Sequence, residues 1–212
     1  MEIDVAKLQK SVENGVRKVT KEFNLRPNMV HPISRYNSGD NTGVGSPELI
    51  TEFVSDASKY VKITALPKGS GSENMCAIRM LSPADGIKGI KKFVLEWIAG
   101  IGGKGCPPYV VGIGIGGSFD QVARLSKIAV FRPLDMRNSD AEIAKLEKEL
   151  LSEINSLGVG PMGLGGTSTA LGVNIEFGYT HISSLPVAIN IQCWRNERAT
   201  AVINDKLKVE LG

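Results

Sequence analysis

The sequence predicts an α+β fold, a mixed α/β domain in which a mixed sheet is flanked by helices, and three observations predict it. Segments with helical spacing alternate with short apolar or alternating segments of strand length along the 212 residues. At 42% hydrophobic residues the chain has material for a sizeable core. No repeat, low-complexity segment or flexible linker divides it, so residues 1–212 read as a single domain.

The elements follow in order. Val5, Leu8, Val12, Val16, Val19 and Phe23 recur at helical spacing among Lys, Glu and Arg, which predicts an amphipathic helix from Asp4 to Phe23. Asn24 to Pro47 is rich in proline, glycine and small polar residues and reads as a long irregular loop. Glu48–Val54 and Lys59–Leu66 alternate well enough for a hairpin turning at Ser55 to Ser58. A small-residue loop, Pro67 to Met75, comes next, and its glycines allow backbone donors to approach a ligand. Ser82-Pro83 with Asp85 starts a helix whose buried face is Ile87, Ile90, Phe93, Val94 and Trp97 and which ends at the glycines from Gly100. A later helix from Ser139 to Leu157 carries Ile143, Leu146, Leu150, Ile154 and Leu157 on one side, with Gly158 as its C-terminal cap. A further glycine-rich loop, Gly158 to Gly166, leads into the alternation Leu171, Val173, Ile175, Phe177. Pro186 to Gln192 forms a last apolar strand ending at Cys193, followed by a charged tail.

Composition excludes several classes of function. The net charge of +3 comes from 25 basic and 22 acidic residues spread along the chain, without the basic stripe of a nucleic-acid binder. No apolar run reaches membrane-spanning length and the first residues lack a signal-peptide core, so the reading is a cytoplasmic protein without membrane or nucleic-acid partners. Three widely spaced cysteines argue for reduced thiols rather than a disulfide framework.

The stretch Gly105 to Gly117 concentrates the chemistry. Pro107 biases Cys106 toward rigid, extended backbone that suits a ligand. An apolar run follows, and Gly112, Gly114 and Gly117 match GxGxxG, with Ser118 able to cap a helix running through Leu125 to Val130. A dinucleotide site would also need an acidic residue about twenty positions on, for which Asp135 after Pro133 is the nearby candidate. The alternative is a buried strand and tight turn. No CxxC, HExxH or zinc-finger spacing occurs. Cys76, beside Met75 and Ile78, reads as a small core residue. His181, between two strands, outranks His31 as a site residue, and Arg26, before Pro27, has the guanidinium that could grip a carboxylate.

Several segments together carry a resemblance: Asn37-Ser-Gly-Asp-Asn-Thr, Lys68-Gly-Ser-Gly-Ser-Glu-Asn-Met, Gly105-Cys-Pro-Pro with Val111-Gly-Ile-Gly-Ile-Gly-Gly, Arg132-Pro-Leu, Gly158-Val-Gly-Pro-Met-Gly-Leu-Gly-Gly and Asn190-Ile-Gln-Cys. In this order they resemble the alpha subunit, or N-terminal domain, of class I fumarate hydratase, the oxygen-sensitive iron–sulfur hydro-lyase family that also includes L-tartrate dehydratase. The resemblance spans nearly the whole chain and turns the GxGxxG match into a structural strand-turn. It implies a 4Fe-4S cluster held by three cysteines with one iron open for Lewis-acid chemistry. Cys106 and Cys193 match two of these ligands. The third belongs to a Cys-Gln-Asp-Thr-Gly motif, expected before the first helix together with the family's acid/base aspartate, and Cys76 does not replace it.

By the same resemblance Arg26 binds a substrate carboxylate, the backbone at Gly69 and Gly71 donates to substrate oxygens, and His181, twelve residues before Cys193, hydrogen-bonds the substrate as the catalytic histidine. The implied function is the alpha component of an enzyme interconverting (S)-malate and fumarate plus water, inactive without a beta subunit or C-terminal domain and the N-terminal segment, and oligomeric. Two alternatives stand beside it: an L-tartrate dehydratase alpha subunit, since Cys193-Trp194 also occurs in the tartrate enzymes, and a non-catalytic partner of the same fold.

Overall fold

A computed structural model describes residues 4–53, 60–206 and 208–211. It divides into two compact units, Met1–Val61 with Val202–Val209, and Lys62–Ala201 with Glu210–Gly212. No break in composition announces this division.

In the first unit, helix α1 (Val5–Glu22) begins where expected, with the Asp4 carboxylate accepting from the Lys7 amide as N-cap. The segment after it is irregular, as its composition implies, and is folded on itself by side chains. Asn41 Oδ1 accepts from the Asn28 amide at 2.7 Å while its Nδ2 donates to the Arg26 carbonyl at 3.2 Å, and Asn37 Nδ2 donates to the Pro27 carbonyl at 2.9 Å. The Asn37–Thr42 motif thus serves as a buckle around Leu25–Asn28.

Among the described residues the first strand of the predicted hairpin is absent. Residues 48–53 are not in a strand, and the turn at Ser55–Ser58 lies outside the described residues. Strand β1 (Tyr60–Ala65) belongs instead to a three-stranded sheet with β6 (Ala199–Asn204) and β7 (Val209–Leu211), in the order β1-β6-β7. Those last two strands lie in the charged tail, where the charged residues on either side of β6 hide its short apolar run.

The second unit contains the main sheet. Its strands are β2 (Ala77–Leu81), β3 (Tyr109–Gly116), β4 (Ala170–Gly178) and β5 (Leu185–Gln192), in the order β2-β5-β3-β4, with β3 parallel to β4 and antiparallel to β5. Strand β2, missed in the sequence because it is short and follows the four-residue helix α2 (Ser70–Glu73), pairs antiparallel with β5. The sheet is therefore mixed and sits between helices, as predicted.

Helices α3 (Gly86–Ile101) and α5 (Ala141–Ser156) bury Ile90, Phe93, Val94, Ile98, Leu146, Leu150 and Ile154 in one core with Val111, Ile113, Val173, Ile175, Val187, Ile189 and Ile191 of the sheet. Lys91 ties these helices together at 2.7 Å from both Glu149 and Glu153. The start of α3 follows its signal, with Ser82 and Asp85 forming a capping box around a 3-10 turn. The α5 cap is Asp140, one residue after the Ser139 expected, and its side chain accepts from the Glu142 and Ile143 amides.

Helix α4 (Phe119–Phe131), capped by Ser118, covers the opposite face. The glycines of the GxGxxG match explain its fit: a Cβ at Gly112 would stand 2.3 Å from the Ser126 carbonyl oxygen, and one at Gly114 2.2 Å from that of Val122. Backbone packs on backbone there, which is the structural reading of the motif. Beneath the end of α4, Glu147 is fully buried and satisfied by Arg132 Nη2 at 2.5 Å, the Ile175 amide at 2.9 Å and the Asn138 amide at 3.3 Å. Arg132 of the Arg-Pro-Leu segment also holds Glu176 at 2.8 Å. Among the described residues no helix is long and apolar enough to cross a membrane.

Candidate functional site

Strand direction determines which loops of the second unit meet. Since β3 and β4 run parallel and β5 antiparallel to both, the chain before β3, the chain before β4 and the chain after β5 all emerge at one end of the sheet. Those segments are Gly105–Pro108, the glycine-rich Gly158–Gly166 and Cys193–Trp194.

Cys106 and Cys193 are accordingly neighbours in the fold. Val110 of β3 is in register with Gln192 of β5, and beyond them the Trp194 amide donates to the Cys106 carbonyl at 3.3 Å. The Met162 amide donates to the Pro107 carbonyl at 3.0 Å, which fastens the second glycine loop to the same place. Cys106 is exposed and Cys193 half-buried, and among the described residues neither sulfur accepts or donates a hydrogen bond.

One detail of Cys106 corrects the sequence reading. Its φ is +60°, in the left-handed region, rather than the extended conformation that a following proline favours. The surroundings impose it: the fully buried Tyr109 donates its hydroxyl to the Gly102 carbonyl and accepts from the Gly105 amide at 3.3 Å, drawing the loop back over the strand. A strained backbone at an exposed thiol is the kind of conformation that persists when the neighbouring structure over-determines it.

The Gly69–Ser72 segment lies at this end too. Its partner strand β5 leads directly to Cys193, and Gln192 Nε2 donates to the Pro67 carbonyl at 3.2 Å. As the first residues of a helical turn, Ser70 and Gly71 have amides with no acceptor inside the helix.

Cys76 differs from the other two thiols in its hydrogen bonds. It is half-buried, donates to the Ser72 carbonyl at 3.6 Å and accepts from the Ile191 amide at 3.5 Å. Burial pushes its thiol above the ordinary range, against the opposing pull of the Ile191 amide and the Lys68 ammonium. That is a structural cysteine kept protonated. Among the described residues no three His, Cys, Asp or Glu side chains come together as a metal site. The thiol pair is thus right in kind for an iron–sulfur group, and short of a full ligand set.

His181 lies elsewhere. It falls between β4 and β5, at the opposite end of the sheet, where Thr180 Oγ1 donates to the Gly117 carbonyl at 3.1 Å. The eight residues of β5 separate it from Cys193, roughly 23 Å at about 3.3 Å per residue. Closeness in sequence misled here, because the intervening residues form a straight strand. Nδ1 of this exposed imidazole lies 2.7 Å from Ser183 Oγ and 3.2 Å from the Ser183 amide nitrogen. The surface around it is apolar: Phe119, Phe177, Tyr179 and Ile182 are all exposed.

Arg26 belongs to the first unit. It is exposed, and its Nε donates to Asn28 Oδ1 at 2.9 Å, so the two terminal nitrogens remain available among the described residues. Close by, a cavity of about 480 Å³ is lined by Arg17, Thr20, Lys21, Leu25 and Asp40. Hydrogen bonds from Ser38, Thr42 and Arg17 hold the Asp40 carboxyl far below the usual carboxylate range, so it is ionised at neutral pH.

The sequence is similar to several known proteins. A protein of Methanocaldococcus jannaschii named "Putative L(+)-tartrate dehydratase subunit alpha" is 54% identical over 196 residues, which is 92% of this chain and 69% of that protein. The L(+)-tartrate dehydratase subunit alpha of Escherichia coli O157:H7 is 34% identical over 206 residues, 97% of this chain and 68% of its own length. The same protein of the K12 strain matches equally, at 34% over 206 residues. The sequence also matches the model of the family described as fumarate hydratase (Fumerase) over residues 1–202. With two thiols at one sheet end, glycine loops beside them and a match across nearly its whole length, the chain belongs to the fumarate hydratase (Fumerase) family.

Proposed function

We propose that this chain is the alpha component of a hydro-lyase acting on a four-carbon 2-hydroxy dicarboxylate, with L(+)-tartrate as the substrate. The observation that carries the choice is the 54% identity, over 92% of the chain, to the archaeal protein named as a tartrate dehydratase alpha subunit. It outweighs the motif resemblance to fumarate hydratase, which implied malate. Loss of water from tartrate yields the enol of oxaloacetate; loss of water from malate yields fumarate. Both need a hydroxide to leave and a proton to be taken from the adjacent carbon.

Cys106 and Cys193 would hold an iron–sulfur cluster, with a third ligand from outside this pair. When bound, that cluster supplies a Lewis acid for the departing hydroxyl. The remaining work falls to the chain. The amides at Gly69 and Gly71, beside the thiols, would donate to substrate carboxylate oxygens, and the free Nη1 and Nη2 of Arg26 would grip a carboxylate in a bidentate manner. Such a contact is worth on the order of 2–5 kcal/mol when one partner is truncated. His181, far from its own chain's cysteines, would serve substrate only at a site that another chain completes, in keeping with an oligomer that includes a beta subunit.

The test is turnover by the alpha–beta complex reconstituted anaerobically with iron and sulfide. The expected result is a kcat/KM for L(+)-tartrate at least roughly tenfold above that for (S)-malate. The reverse order assigns the chain to fumarate hydration, and absence of turnover with both supports a non-catalytic partner.

A further inference from the structure

The antiparallel pairing of β2 with β5 stops at Ala77 opposite Ile189, three residues before β5 ends at Gln192. Ile191, the next residue that faces the same edge, therefore has both backbone groups without a strand partner. Side chains take their place. The Ile191 amide donates to Cys76 Sγ at 3.5 Å, and the Ile191 carbonyl accepts from the Lys68 ammonium at 2.5 Å.

Lys68 is only 14% exposed, and its other donors are committed as well. The ammonium lies 3.0 Å from the Glu73 carboxylate and 3.5 Å from Ser72 Oγ, with Cys76 Sγ at 3.9 Å. Ser72, 2% exposed, donates in turn to the Gly69 carbonyl at 2.9 Å. One residue further along β5, Gln192 holds Pro67. So Ile191 and Gln192, immediately before Cys193, grip Lys68 and Pro67, immediately before Gly69.

We propose that Lys68 is a positioning residue, whose ammonium fixes the Gly69–Gly71 turn against the Cys193 end of β5 and so sets the distance between substrate-binding amides and the thiol. This deepens the function proposed above and rests on it: the ligand class is the same four-carbon dicarboxylate. A compact ammonium with three rotatable donors suits a carbonyl, a carboxylate and a hydroxyl arranged around one point. The planar fork of arginine does not, which makes Lys68→Arg informative beside Lys68→Met.

The experiment has two arms. Hydrogen exchange on the full chain reads the amides of Glu73, Asn74, Met75 and Cys76, which close the turn onto Gly69, Ser70, Ser72 and Glu73. Lys68→Met is expected to speed their exchange roughly tenfold while exchange in the middle of α5 stays unchanged. Should that variant fail to fold, Lys68→Gln carries the same comparison. Unchanged exchange at the turn in a folded variant overturns the proposal. In the active complex, Lys68→Met is expected to raise KM roughly tenfold with kcat altered less than about threefold, and Lys68→Arg to recover only part of the loss. An unchanged KM overturns the link to substrate. A wild-type complex that turns over no dicarboxylate instead overturns the function proposed above, while the exchange arm still decides whether Lys68 orders the turn.

Discussion

Three cysteines of one chain behave as three different groups, and their surroundings explain why. Cys106 stands exposed on a loop, Cys193 is half-buried at a strand end, and Cys76, also half-buried, has its thiol hydrogen-bonded and pushed up by burial. Reaction needs the thiolate, so a half-buried thiol with a raised pKa reacts slowly at neutral pH. Alkylation of the native chain followed by peptide mass analysis should modify Cys106 first and Cys76 last; preferential labelling of Cys76 would contradict the raised thiol. At this scale the sequence was partly legible. The prolines beside Cys106 and the strand before Cys193 marked both thiols, whereas Lys68, Tyr109 and Gln192 left no signal, because what they do depends on bonds to residues distant in sequence. Lys68 was visible only as one letter of a glycine-serine loop.

At the scale of elements, period and capping located the helices well: α1, α3 and α5 begin within a residue or two of their Asp and Ser caps. Strands were read less completely. The buried run of β3 and the apolar β5 stood out, while β2 was too short and β6 lay hidden between charged residues on either side, and the supposed partner of β1 was not its true one. Pairing between distant strands has no local sequence signature. The glycines of β3 illustrate what spacing conceals: the same GxGxxG that could cradle a nucleotide here brings α4 against the strand. Gly114→Ala is therefore expected to destabilise the chain by on the order of 3 kcal/mol, since the added methyl meets helix backbone that no side-chain rotation can move. Thermal or urea unfolding measures this, and a loss under about 1 kcal/mol would show that α4 can shift.

For the molecule as a whole, the sheet has two chemically different ends. Glycine loops and thiols gather where β3 begins; an imidazole with exposed aromatic neighbours stands where β3 finishes. The family resemblance named these residues without saying that a strand separates them, since a residue list carries no direction. The hydrophobic core between α3, α5 and the sheet needs neither end to be occupied. Purified by itself, the chain is expected to fold, as judged by circular dichroism and a cooperative melt, and to show no dehydratase turnover and little retained iron after anaerobic reconstitution. Two thiolates at one sheet end, with no third ligand beside them among the described residues, are the reason. Full activity from the isolated chain would overturn that expectation.

The left-handed backbone of Cys106 has a consequence for what selection can have favoured there. A position with φ near +60° is one that glycine occupies without steric cost, whereas other residues pay roughly 1–2 kcal/mol. For durability alone, then, Cys106 is a poor choice, and Cys106→Gly should melt no lower than the wild type, by differential scanning calorimetry, while Cys106→Ala keeps the strain and gains nothing. If the glycine variant instead proves clearly less stable, the sulfur has a packing role. If it proves equal or better, the thiol is retained at the expense of heat resistance, and chains of this family adapting to hotter surroundings would have to find their stability somewhere other than at this residue.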